Sequence, residues 1–230
     1  MNFTQTVKSA IAKFPCNRLI VANELHQSIR PEIPEQIFYK AIGRLADEQA
    51  IVRLTTGIYY RPKISRFGAI PISDEEISQH YTQSHNGMTI GYHMYNAKGL
   101  TTQIGKKIQI LSIRMKESRK NIGNVSITRI GIKPTKEISS VIEALEILQN
   151  YEQIEDLNPK ALLSYMESFV ESYSDDVVNQ VLAKRRYKKS TIAFLTAFLQ
   201  HYKIRNTLNR HLSTMSTYKI PDVEALYESA

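Results

Sequence analysis

PEQIFYKAIGRLADEQAIVRLTTGIYYRPK, residues 34–63, is the stretch on which the fold turns. Ile37, Ala41, Ile42 and Leu45 recur at i, i+4, i+5 and i+8, so one stripe of a helix faces a core while Gln36, Tyr39, Lys40, Gly43 and Arg44 look outward. The helix is predicted to end near Asp47–Ala50, after which IVRLT, Thr56-Gly57 and IYYRP alternate as two strands around a tight turn. Arg53, Tyr60, Arg61 and Lys63 are expected to line that hairpin. A helix followed by a basic, aromatic flap is the recognition-helix-plus-wing half of a winged helix-turn-helix. A major groove accepts one helix, and amide, hydroxyl and cationic side chains reach base edges or phosphates from it.

The other parts of such a module lie upstream. Residues 3–14 place Phe3, Val7, Ala10, Ile11 and Phe14 on one helical face, and Pro15 stops that helix because its ring cannot continue the ladder. A short β-branched run, 18–21, precedes a small helical segment, ANELHQSI, and the proline-bounded turn RPEIP. Pro34 suits the first turn of the next helix, where its missing N–H costs nothing.

Composition limits the alternatives. A chain of 230 residues with 42% apolar content has enough material for ordinary cores. The net charge is +4 over residues 1–63, +6 over 64–135 and −2 over 136–230, so the first two thirds attract polyanions. A pI of about 9.4 also occurs in proteins that never meet nucleic acid, and it gains force only beside the helix-and-flap pattern. The single cysteine, Cys16, makes no disulfide framework and no paired-thiol zinc motif, which fits a reducing cytoplasm. A buried, small apolar role is its default. No run approaches about 18 apolar residues, and the start lacks an export pattern, so no membrane partner is expected.

Beyond the flap, Ser73 and Glu76 form a capping box for a helix over about Asp74–Ser84, ended by Gly87. A small helix over Tyr92–Lys98 closes on Gly99. KKIQILSIRM (106–115) and NIGNVSITRIGIK (121–133) read as strands. From Thr135 onward the spacing is helical: segments opening on Asn158-Pro159 and on Ser174, and an almost wholly apolar TIAFLTAFL, predict a bundle of three to five helices. The expected class is therefore α+β, mainly helical. Its parts are a winged helix-turn-helix at 1–63, a small α+β domain at 64–135 and a helical region at 136–230.

The candidate chemistry is sparse. His80, His85 and His93 share no helical face, and no Cys, Asp or Glu falls beside them at ligand spacing. Asp74-Glu75-Glu76 is read as a helix-start charge cluster ahead of a catalytic acid group. Nucleotidyl transfer wants a Gly-Ser start and carboxylates spaced as D-x-D or D-x-E, and the chain has no Gly-Ser. No enzyme, cofactor or metal is expected. Of the thirteen tyrosines, Tyr39 and Tyr60 stand out as contacts that could stack on bases. The basic run AKRRYKKS, 183–190, is read first as cations at a helix C-terminus and second as a further phosphate-contacting patch.

GIYYRPKISRFGAIPISDEEI (57–77) followed by YNAKGLTTQ (95–103) resembles the AbiEi-type antitoxin family of bacterial type IV toxin–antitoxin systems, in particular its shorter, regulator-like relatives. The resemblance covers roughly residues 1–135. Where relatives continue T-Q-V-P, this chain has Gln103-Ile104-Gly105-Lys106 and lacks the proline-fixed turn. The resemblance implies an autorepressor that binds inverted repeats in its own promoter, as a homodimer or as cooperative monomers, and an antitoxin counteracting a nucleotidyltransferase-like toxin, with or without direct contact. It carries onto Gln36, Tyr39, Lys40 and Arg44 in the helix and Arg53, Tyr60, Arg61 and Lys63 in the flap, none with a catalytic role. The competing expectation is an interaction scaffold whose winged helix docks a partner protein in place of DNA.

Overall fold

The computed structural model describes residues 3–228 and has an α+β fold. Its contacts sort the chain into two units: one runs up to His80 and includes Asn121–Val125, and the other comprises Tyr81–Lys120 and the chain from Ser126 onward. These divisions fall elsewhere than the boundaries expected at 63 and 135. The segments on either side of residue 135 share one core, in which Met88, Met94, Leu100 and Leu111 pack with Ile142, Leu145, Met166, Phe194 and Phe198.

The first unit runs α1 (Phe3–Ala12), β1 (Leu19–Val21), α2 (Ala22–Ile29), α3 (Glu35–Asp47), β2 (Val52–Thr55), β3 (Ile58–Tyr60), β4 (Lys63–Ser65) and β5 (Gly68–Ile70), and α4 (Asp74–Thr82) crosses its boundary. β1, β3 and β2 form an antiparallel sheet in that order. Val7 and Ile11 of α1, Ile20, Leu25 and Ile33 meet Phe38, Ala41, Ile42 and Leu45 of α3 in a core of their own. At about 1.5–3 kcal/mol for each fully buried large apolar side chain, this stripe fixes the helix far more firmly than its intrinsic propensity does. Phe38, fully buried, belongs to the stripe where the spacing had Ile37, which is only half-buried.

His26 ties α2 to α3. Its Nε2 lies 3.1 Å from the Ile33 carbonyl, and its ring packs 4.9 Å from that of Phe38. Between β2 and β3 the chain reverses over Thr56-Gly57, and Gly57 supplies the φ of +73° that a side chain would oppose. A second hairpin follows, which the sequence reading missed. β4 and β5 pair antiparallel, Lys63 with Ile70 and Ser65 with Gly68, leaving Arg66 and Phe67 at the turn. Pro62 and Pro71 bracket it and isolate it from neighbouring strands.

β6 (Gly87–Ile90), β7 (Ile108–Ser112), β9 (Val125–Arg129) and β8 (Arg119–Ile122) form a sheet in the order β6-β7-β9-β8, with α5 (Tyr92–Ala97) after β6. The run predicted as one strand over 121–133 is instead a hairpin arm and a turn at Gly123-Asn124. Gly87 opens β6 and does not end the preceding helix; a β-carbon there would collide with the carbonyls of Tyr81 and Leu111. The capping box forms as expected, with Ser73 Oγ accepting from Glu76 N at 3.2 Å and Glu76 Oε2 accepting from Ser73 N at 3.2 Å. α6 (Lys136–Asn150) is capped by Thr135 and α7 (Pro159–Glu171) by Asn158, and α8 (Asp175–Lys184), α9 (Lys189–His201) and α10 (Val223–Glu228) complete the helices among the described residues. None of them is long and apolar enough to cross a membrane.

The basic run at 183–190 does not decorate one helix end. α8 stops at Lys184, and Arg185 turns inward onto Glu146, with Nη2 donating to Oε1 at 2.6 Å and Nε at 3.1 Å. Cys16, assigned a buried role from the sequence, is exposed between α1 and β1.

Candidate nucleic-acid interface

The outward face of α3 is built as the spacing requires. Gln36, Tyr39, Lys40, Gly43 and Arg44 are exposed, the last four each next to a buried member of the stripe. Tyr39 keeps 40% of its surface while its ring stands edge-on against Phe38, 5.2 Å between centroids, so the hydroxyl projects from a fixed ring. Partial burial, with the charges of Glu35 and Tyr59 adding, holds that hydroxyl above its ordinary pKa of 10.0, so it stays a neutral donor and acceptor. Gln36, Lys40 and Arg44 have no hydrogen-bonding partner for their side chains among the described residues. A β-carbon on Gly43 would meet nothing within 4 Å. Nothing inside the protein therefore explains a glycine in mid-helix.

The flap is arranged differently from expectation. Arg53 is exposed on β2, its Nη2 donating to Thr56 Oγ1 at 3.1 Å. Tyr60 is only 4% exposed and leaves the set of contact residues. The reason is the strand order: β3 is the middle strand of its sheet, and all three of its side chains, Ile58, Tyr59 and Tyr60, are buried. Arg61 is half-buried beyond the end of β3, and its Nε is buried without a partner. Lys63 is exposed, yet it opens β4 and belongs to the second hairpin.

That hairpin carries what the sequence reading overlooked. Phe67 is 86% exposed and Ile64 69%, and the Arg66 guanidinium carbon lies 4.6 Å from the centroid of the Phe67 ring. The available signal was Lys-Ile-Ser and Gly-Ala-Ile flanking a two-residue tip, a symmetric short hairpin too small for a periodicity test. Among the described residues, no group of three or more His, Cys, Asp or Glu side chains is placed to hold a metal ion.

Residues 19–150 match a described family of unknown function, DUF6088. The chain belongs to the DUF6088 family. No curated protein matches it significantly. The DUF6088 match runs from β1 through the end of α6 and takes in α3 and both short hairpins, so the candidate surface lies wholly inside it, whereas α1 and α7–α10 fall outside. The family carries no assigned activity, and the surface has to be read from its own chemistry.

Proposed function

We propose that the first unit is a winged helix-turn-helix that binds duplex DNA with α3 in the major groove, and that the protein is a transcriptional autorepressor of antitoxin type. One observation carries the DNA reading: a helix locked from beneath by a dedicated core turns Gln36, Tyr39, Lys40 and Arg44 outward beside a glycine that lets another backbone approach. The element order α1–β1–α2–α3–β2–β3 and the sheet order β1-β3-β2 support it, because they suit a helix-turn-helix followed by a two-stranded wing. Arg53 is the wing residue best presented to phosphate. The antitoxin part rests on the sequence resemblance, which implies a nucleotidyltransferase-like toxin encoded alongside; cytoplasmic location and operator binding as a dimer belong to the same reading.

The test is fluorescence anisotropy with a labelled duplex taken from the region upstream of the protein's own reading frame. Binding is expected to weaken steeply with salt, since each neutralised phosphate releases counterions. Lys40→Ala and Arg44→Ala are each expected to weaken it by about 1–3 kcal/mol if they reach base edges. An affinity unchanged in the double variant removes α3 from the account. Co-expression with the neighbouring toxin tests neutralisation separately; full rescue by a fragment lacking residues 1–63, with no DNA binding by the intact chain, would favour the protein-docking scaffold.

A further inference from the structure

We infer that the β4–β5 hairpin reads the minor groove, Phe67 acting as an apolar wedge at a base step and Arg66 lying along the groove floor. The inference rests on the DNA-binding reading and adds a second contact element of a different kind. Three observations converge on it. First, Phe67 is left 86% exposed at the tip of a two-residue turn, with Ile64 69% exposed beside it, an apolar projection that the protein itself leaves uncovered.

Second, the tip is held in shape before any partner arrives. Ser65 Oγ donates to the Gly68 carbonyl at 3.0 Å and accepts from the Phe67 N–H at 3.1 Å, while Gly68 takes a φ of +108° that a side chain would resist. A rigid projection loses little freedom on binding. Third, the hairpin and the stretch leading into it are cationic: Lys63 and Arg66 lie on the hairpin itself, and from Gln49 to Ser73 the chain carries Arg53, Arg61, Lys63 and Arg66 and no acid. An apolar tip on a hairpin that carries Lys63 and Arg66 suits a partner that is a polyanion outside and apolar between its stacked layers, which describes duplex DNA. The minor groove, about 6 Å wide, admits such a narrow tip, and its potential favours arginine. The same charges set two copies of this hairpin against each other.

The experiment uses the intact chain and a duplex from its own upstream region carrying a donor and an acceptor dye at its ends. The parent protein is expected to raise energy transfer by bending the duplex. Phe67→Ala is expected to bind at least tenfold more weakly and to abolish the rise, whereas Phe67→Leu, still an apolar wedge, retains both. Because Phe67 packs so little within the protein, both variants should keep the parent's circular dichroism spectrum and melting temperature. If Phe67→Ala binds and bends like the parent while Lys40→Ala with Arg44→Ala loses binding, the hairpin's role is overturned and the α3 reading stands. If no protein binds the duplex, both fall. Sedimentation of the parent as a dimer that Phe67→Ala splits, or cosedimentation with phosphatidylserine vesicles that Phe67→Ala abolishes, overturns the inference in favour of self-association or a lipid surface.

Discussion

Arg185 pairs its charge with Glu146: the carboxylate side chain is 7% exposed and the guanidinium side chain 24%. Arg185→Ala would leave Glu146 buried without a counter-charge, and the expected loss is about 3 kcal/mol, the low end for a broken buried pair because the arginine keeps some water. Urea denaturation at pH 7 measures it, and Glu146→Leu combined with Arg185→Met should recover most of the loss. A second residue-scale expectation concerns acid. His211 Nε2 lies 2.6 Å from Asn179 Oδ1, and burial, helped by Arg210 and Lys189, keeps the imidazole below its ordinary pKa of 6.5. Burial pushes the nearby Asp175 carboxyl up, but hydrogen bonds from Thr207 and Tyr173 outweigh it and hold the group below its ordinary 3.8. Both groups bind protons less readily folded than unfolded, so both contribute stability at neutral pH. His211's share is lost as the pH falls through and below 6.5, and Asp175's as it falls below 3.8. Melting temperature followed from pH 7 to pH 3 should drop in that order, and His211→Gln should flatten the first part.

At the scale of elements, α3 offers a test in which stability and binding move in opposite directions. A glycine inside a helix costs up to about 1 kcal/mol relative to alanine, and at position 43 there is room for the methyl group. Gly43→Ala is expected to raise stability by about 0.5–1 kcal/mol in chemical denaturation and to weaken DNA binding, because the methyl group occupies the space an incoming backbone needs. Equal or tighter binding would mean that no surface comes close there. α3 was readable in advance because its buried and exposed positions follow one helical period, as were the Ser73–Glu76 box and the cap at Asn158, which depend on residues a few steps apart. β3 was read with the wrong exposure: a strand's alternation holds only when one face is open, and β3 lies between β1 and β2. The β4–β5 hairpin was missed because three-residue strands show no period, so the most exposed part of the candidate surface was the least visible.

At the scale of the whole molecule, the two cores divide the chain unequally from its sequence blocks. Among the described residues the buried side chains of the first unit's core run from Val7 to Tyr59, so a fragment of residues 1–80 is expected to unfold cooperatively and to bind the same duplex. Residues 81–120 hold seven Lys and Arg against one acid, so the intact chain should lose affinity with salt more steeply than the fragment does; equal slopes would deny those cations any part in binding. Cutting after Asn150 has the contrary effect on the second unit. It strips α6 of the partners that bury Ile142, Leu145 and Leu148, and the product should aggregate. The boundaries at 63 and 135 follow changes in local periodicity, which cannot register that a four-stranded sheet and the later helices fill a common interior. Cys16, meanwhile, is the sole sulfhydryl in the sequence and faces water. A maleimide fluorophore will therefore attach at one defined point with no prior engineering, giving a stoichiometric optical reporter on the unit that carries α3.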